Sequence, residues 1–326
     1  MTSTLILGGT AWLGREIAEQ LAGQGQDVTC LARGESGAAP RGVTFVRSDR
    51  RSAQAYDLVA RESWDEIIEL SYDAHLVTGA LEALAGSTAH WTLVSSVSVY
   101  ATNAEPGADE DAILVEPVDL DDYAQAKVAA ERASMAAVGD RLLIARPGLI
   151  VGPGDVSDRF GYWVSRLAAA PGEPVLVPNA KDRYVQFIDV RDLAEWLISA
   201  GQRGLTGIYN VIGSERDLSR VLLAAAGVAG HTGELIMAED DWLTAHGINY
   251  WAGPRSLPLW LPRSDTAFAQ RSRSRSRFVE AGGTERSLQN TLQDVLKDER
   301  ARGLDRERRS GLTPQEQHVL LTEIDA

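Results

Sequence analysis

Tyr123 and Lys127, four residues apart, carry the clearest suggestion of chemistry in this sequence. They sit in Asp121-Asp122-Tyr123-Ala124-Gln125-Ala126-Lys127-Val128-Ala129-Ala130-Glu131, a segment rich in strong helix formers. Positions four apart on a helix share a face, which brings the phenol and the ammonium together. An ammonium beside a phenol favours the phenolate and lowers the tyrosine pKa. A tyrosine tuned in this way exchanges a proton with a substrate oxygen near neutral pH. The plain alternative is a Tyr–Lys pair on a solvated helix face, which is common.

A second group that could hold the same oxygen lies upstream. His90 to Tyr100 reads HWTLVSSVSVY, an apolar, β-branched run that ends in hydroxyls. In an open parallel sheet, ligands bind beyond the carboxyl ends of the strands. Ser96 placed there would hydrogen-bond the oxygen that Tyr123 protonates. Serines at such a position also cap the next turn, and that reading stays open.

The third feature is a glycine-rich turn near the N-terminus. Thr4-Leu5-Ile6-Leu7 reads as a strand and runs into Gly8-Gly9-Thr10-Ala11-Trp12-Leu13-Gly14. A helix follows, with Leu13, Ile17 and Leu21 on one face. This layout suits a dinucleotide pyrophosphate. The first glycines permit a sharp turn, the middle position lets backbone N–H groups approach phosphate, and Gly14 lets helix and strand pack closely. The helix N-terminus adds partial positive charge. Two registers are possible, Gly8-x-x-Ala11-x-x-Gly14 and Gly9-x-Ala11-x-x-Gly14, and both put alanine in the middle, where its methyl could displace a phosphate. An ordinary strand–turn–helix without ligand is the alternative.

With these pieces the chain resembles the extended short-chain dehydrogenase/reductases, the NAD(P)-dependent epimerase/dehydratase superfamily. The matching segments are ILGGTAWLGR at the start, VSSVSVY at 94–100, YAQAK at 123–127, RPGLIVGPGD at 146–155 and VQFIDVRDLAEWL at 185–197. They stand in the family's order and cover roughly the first 200 residues. The resemblance implies an α/β protein with a Rossmann-type doubly wound parallel sheet and a smaller, mixed C-terminal substrate domain. It implies Ser96, Tyr123 and Lys127 as the catalytic residues, with Lys127 holding the nicotinamide ribose and lowering the phenol pKa. It implies cofactor contacts from Gly8, Gly9, Thr10, Ala11, Trp12, Leu13 and Gly14, from Ser95, Tyr123, Lys127 and Pro147, and from Asp49 and Arg50 near the adenine. For Asp49-Arg50 a surface turn fits equally well.

The second strand, Asp27 to Ala32, ends in Arg33-Gly34. Chains that bind NAD usually place a carboxylate there for the ribose hydroxyls. A guanidinium suits a 2′-phosphate, so NADP is favoured over NAD, with Arg15 as a possible helper. Arg33 stacked on adenine and accepting either cofactor is the alternative.

The reading that follows is an NADPH-dependent reductase of a carbonyl or imine group on a small molecule. Its alternatives are an NAD-dependent nucleotide-sugar epimerase using the same three residues, and a non-catalytic dinucleotide sensor or scaffold. A 4,6-dehydratase is disfavoured, because the Asp-Glu pair of that branch is replaced by Val97-Ser98. Arg159, Arg183, Arg191 and Arg255 are candidates to meet an anionic substrate, each with an ordinary salt-bridge alternative.

The 326 residues predict two domains. Residues 1–152, with a segment at about 183–200 that returns, are expected to bind the dinucleotide, and 153–182 with 201–326 to form the substrate domain and C-terminal helices. Candidate strands are 4–8, 27–32, 43–46, 66–70, 91–96 and 141–146. The strand at Gly207–Val211 is expected to open the remainder of the smaller domain. Trp- and Pro-rich residues 240–262 suggest a loop wall over the site.

The net charge of −14 disfavours nucleic acid and anionic membrane as partners. The Arg-Ser run at 271–277 is accordingly read as a solvated face rather than an RNA contact. No run of 18 apolar residues exists. The first strand starts too early to leave room for a signal peptide, and the single cysteine, Cys30, suits a reducing compartment, so a cytoplasmic location is expected. His75, His90, His231, His246 and His318 show no metal-ligand spacing, so no metal is expected. A homodimer is possible through the helix that bears the tyrosine.

Overall fold

The computed structural model describes residues 2–103, 105–263 and 273–324. The N-terminal half alternates strand and helix: β1 (Ser3–Leu7), α1 (Trp12–Gly23), β2 (Asp27–Ala32), β3 (Thr44–Arg47), β4 (Trp64–Glu69), α2 (Ala74–Leu84), β5 (Thr88–Val94), α3 (Tyr123–Val138) and β6 (Leu142–Pro147). These strands read as apolar runs because helices cover both faces of the sheet. In β6 every residue is buried.

Next come β7 (Leu149–Val151), α4 (Arg159–Ala169), β8 (Val175–Pro178), β9 (Tyr184–Val185), β10 (Phe187–Asp189), α5 (Val190–Gln202) and β11 (Gly207–Val211). The central sheet has seven strands, all parallel, in the order β11-β6-β5-β4-β1-β2-β3. α1 and α5 pack one face through Ile17, Leu21, Leu193 and Leu197. α2 and α3 pack the other through Val77, Leu81, Ala130 and Val138. This is the doubly wound Rossmann-type sheet. Its strand order reverses between β1 and β4, and a crevice opens at their carboxyl ends.

One expected element falls elsewhere. Gly207–Val211 does not open the smaller domain; it pairs in parallel with β6 as the edge strand of the central sheet. The sequence hides this because β-rich runs look alike whichever sheet they join. α5 does return to the sheet, as its match at 185–197 suggested, and Asp189 caps it by accepting from the Arg191 N–H.

The remaining residues form a second core. The apolar face of α4, with Phe160, Trp163, Val164 and Leu167, packs against α6 (Leu218–Ala229), the helix Leu288–Arg302, and the short parallel pair of β8 with Leu235–Ala238. Trp163 Nε1 donates to the Pro258 carbonyl at 2.8 Å, so α4's aromatics serve packing.

Candidate active site

A cavity of about 870 Å³ opens at the carboxyl ends of β1, β4, β5 and β6. At one end is the glycine turn. Gly8 sits at φ +100°, a left-handed conformation that side chains rarely adopt. Gly14 is fixed by space instead: a Cβ there would lie 2.6 Å from the Gly8 carbonyl oxygen and 2.8 Å from the Gly9 Cα. Cys30 fills the room beside Gly9, which explains a small buried thiol in β2. Ala11 forms the N-cap of α1 in an extended conformation and makes no side-chain cap hydrogen bond. The first N–H groups of α1 are therefore left for a ligand. A cradle closed by two glycines under an uncapped helix end fits a dinucleotide pyrophosphate.

Ala11, Trp12, Leu13 and Gly14 line the cavity, while Gly8, Gly9 and Thr10 shape the turn beneath it. Trp12 Nε1 donates to the Pro153 carbonyl at 2.8 Å and so joins the turn to the loop that leads into the second core. Pro147, at the end of β6, also lines the cavity.

Ser96, Tyr123 and Lys127 come together in the same cavity. Tyr123 is the first residue of α3, whose start is fixed by the Asp122 carboxylate accepting from the Gln125 N–H at 2.9 Å. Ser96 follows β5 and is 8% exposed. Its Oγ accepts from the Ser98 N–H at 3.1 Å, so it caps a short turn while it lines the cavity. Burial of its hydroxyl end pushes the Tyr123 phenol above its usual value, although 45% of the residue is exposed. The Ser96 hydroxyl and the positive charge of Arg159 pull it the other way.

Lys127 differs from its expected part. It is 3% exposed, and its Nζ donates to the Ser71 carbonyl at 2.9 Å and to the Val94 carbonyl. Burial lowers its pKa to about 8, against the pull of Glu69 and Glu131. The influences that lower the phenol come from Ser96 and Arg159 rather than from this lysine. An ammonium has three protons, and two are spent on carbonyls, leaving one for a ligand in the cavity.

Four expected cofactor contacts have other partners. Arg50 is buried and pairs with Glu69, with further bonds to the Tyr56 hydroxyl at 3.0 Å and the Leu76 carbonyl at 2.9 Å, so it secures the fold. Asp49 accepts from the Arg51 N–H at 3.0 Å, which makes the pair's first residue a surface turn. Ser95 lines the cavity, but its hydroxyl donates to Glu131. Arg33 lies at the surface with Glu35 3.1 Å away, so a carboxylate does stand at the end of β2, two residues later than the sequence pattern looks for it.

The arginines sort equally clearly. Arg183 pairs with Asp240, Arg191 with Asp189 and Asp294, and Arg255 with Glu316. Arg159 alone of the four candidates lines the cavity, stacked on Trp251 at 5.3 Å. The start of its helix is held by a buried ion cluster, in which Asp158 and Glu299 meet Arg302, Arg306 and Arg308. The Trp- and Pro-rich segment contributes Trp251, Leu259 and Leu261 to the wall, whereas Trp260 is fully buried and packs against Tyr250.

The described part of the Arg-Ser run, 273–277, is only partly a solvated face. Arg271 and Ser272 lie outside the described residues. Arg275 pairs with Glu285, Arg277 pairs with Asp111, and Arg273 is 5% exposed in the cavity wall. Composition could not show this, because it gives no view of which groups each guanidinium meets in space. Leu70, at the end of β4, is another lining residue missed from sequence. The rule that ligands sit at strand carboxyl ends could have found it.

The sequence and fold have known relatives. One is the "Chloroplast stem-loop binding protein of 41 kDa b, chloroplastic" of Arabidopsis thaliana, 28% identical over 65% of this chain and 55% of its own length. This chain thus spans about half of that relative. Another is the dTDP-6-deoxy-L-talose 4-dehydrogenase (NAD(P)(+)) of Kitasatospora kifunensis, 28% identical over 68% of this chain and 79% of the relative. The UDP-glucose 4-epimerase of Thermus thermophilus, solved in complex with NAD, shares the fold with a TM-score of 0.66 at 20% identity, covering 91% of this chain and 99% of that one. The sequence profile of the NAD dependent epimerase/dehydratase family matches residues 4–212, which hold the glycine turn, Ser96, Tyr123 and Lys127, and the chain belongs to that family.

Proposed function

We propose that the protein is an NADPH-dependent reductase of a carbonyl or imine group on a small molecule. The observation that carries this reading is the meeting of Ser96, Tyr123 and Lys127 in one cavity with the glycine turn. The nicotinamide, when bound, supplies the hydride. Tyr123 gives its phenolic proton to the carbonyl oxygen or imine nitrogen, and its raised pKa keeps that proton in place at neutral pH. The Ser96 hydroxyl donates to the same atom as negative charge develops on it. Lys127 offers its remaining N–H to the ribose, and the Ser71 and Val94 carbonyls fix its direction. Gly8, Gly9, Gly14 and the start of α1 hold the pyrophosphate. Arg33 is the group that favours a 2′-phosphate, although it must share its charge with Glu35.

The Kitasatospora relative, named a 4-dehydrogenase using NAD(P)(+), supports hydride transfer at a carbonyl carbon. The Thermus structure supports the alternative, an epimerase with a retained NAD. One assay separates them. The purified protein is mixed with NADPH and a panel of ketones, aldehydes and nucleotide-linked keto sugars, and NADPH absorbance is followed. A carbonyl-dependent loss of absorbance is expected. No loss with any carbonyl, together with conversion of a nucleotide sugar into its epimer without net cofactor use, replaces the reductase by the epimerase.

A further inference from the structure

Arg273 is buried in the cavity wall and forms no ion pair among the described residues. Its backbone is seated by a reciprocal pair: the Arg273 N–H donates to Gln186 Oε1 at 2.9 Å, and Gln186 Nε2 donates to the Arg273 carbonyl at 3.2 Å. Its guanidinium lies 3.7 Å from the centre of the Tyr100 ring. Nη2 donates to the Thr102 carbonyl at 2.8 Å and to Asn103 Oδ1 at 2.7 Å. Nε and Nη1 are buried and have no hydrogen-bond partner among the described residues.

The surroundings do not neutralise this charge. Arg146 lies against the same Tyr100 ring, and its own charge is matched by Glu131. Burial works against the charged form of Arg273, Tyr100 favours it, and repulsion from Arg146 opposes it again. A buried cation without a counter-ion is costly, and stacking on a phenol ring offsets only part of that cost. Arg159 and Arg309 line the same cavity, as does the buried carboxylate Asp155, whose charge acts on Arg159, in a chain of net charge −14. The walls between are apolar, with Val97, Ile212, Leu259 and Leu261. An apolar cavity with a few convergent charged groups is how a site fixes the orientation of a small ligand.

We propose that Arg273 is the residue that recognises the substrate, by binding an oxyanion, carboxylate or phosphate, that the substrate carries, with Arg159 as the second cation of the same site. This rests on the cavity being the substrate site of the proposed reductase. The N–H groups on Nε and Nη1, which meet no acceptor among the described residues, are the donors to that anion, and the anion supplies the missing counter-charge. Tyr123 lines the same cavity as Arg273 and Arg159, so the rest of a substrate held there has access to the phenol.

Calorimetric titration with two probes, inorganic pyrophosphate and benzoate, tests this with and without NADP+ present. The wild-type protein is expected to bind at least one of them, and the stronger probe identifies the phosphate or the carboxylate as the natural group. Arg273→Gln should weaken that probe about tenfold or more while NADP+ affinity stays unchanged. Arg273→Lys, which keeps the charge but loses the paired donors, should fall between. If Arg273→Gln does not fold, the lysine variant decides, and affinity equal to wild type in it overturns the proposal. So does a wild-type protein that binds neither probe. Failure of the wild type to bind NADP+, with anion binding intact, sinks the reductase reading and leaves the anion site standing.

Discussion

The two ends of the cavity are built by different means. The nucleotide end is local and made largely of backbone: seven consecutive residues, Gly8 to Gly14, supply the turn and the start of α1. The other end, proposed for the substrate, is assembled from side chains of distant segments, with Ser96 after β5, Tyr123 on α3, Arg159 on α4, Trp251 in the second core and Arg273 beyond it. A backbone cradle needs only glycines at the right steps. A charged pocket needs several elements to bring side chains from distant segments together. This fold therefore fixes the cofactor end by sequence spacing and leaves the substrate end to packing.

The sharpest way to break this contrast is at the phenol. Tyr123→Phe should lower turnover by about 10²–10⁴-fold while leaving cofactor affinity unchanged, as read by steady-state kinetics and a fluorescence titration with NADPH. A variant that retains full turnover removes the proton transfer from the site.

At the nucleotide end, Gly14→Ala forces a methyl against the Gly8 carbonyl and the Gly9 Cα. We expect a destabilisation of about 1–3 kcal/mol, measured by urea unfolding, and weaker cofactor binding. Unchanged stability and affinity would mean that the turn has slack the geometry does not show.

Lys127 lies between the two ends and titrates with the fold. Burial lowers its pKa to about 8, whereas an unfolded lysine titrates near about 10.4. Between those values the unfolded chain binds more protons, so this residue makes stability rise with pH across that window. Below it the lysine is charged in both states, and the contribution is flat. In Lys127→Met the rise should be absent, so the stability difference between wild type and variant should grow with pH in unfolding curves taken below, within and above the window. A difference that does not change with pH argues that the ammonium is solvated.

The smallest effect belongs to Arg33, which is exposed and tied to Glu35. Arg33→Ala should weaken NADPH by roughly five-fold and NADH less, since exposed charge pairs are worth little. Equal losses for the two cofactors remove the 2′-phosphate argument.

The residues that were legible in the sequence share one property: spacing alone defines their geometry. Tyr123 and Lys127 are one helical turn apart, and Gly14 falls in the first turn of α1, so local spacing was enough to place them. Arg50 and Ser95 were misjudged because a motif gives a residue's position in the chain but not its nearest neighbour. The carboxylates that claim them, Glu69 and Glu131, lie 19 and 36 residues away. Gly207–Val211 was misplaced for the same reason, since its partner β6 lies in a different stretch of chain.

By itself the sequence determined the alternating strand–helix order, the glycine turn and the Ser–Tyr–Lys set, because local periodicity and backbone sterics act over a few residues. Only the tertiary structure decided which arginines are neutralised and which face the cavity. Charge compensation depends on distances in space: Arg183 meets a carboxylate 57 residues away, and Arg273, on the same count of formal charge, meets none among the described residues.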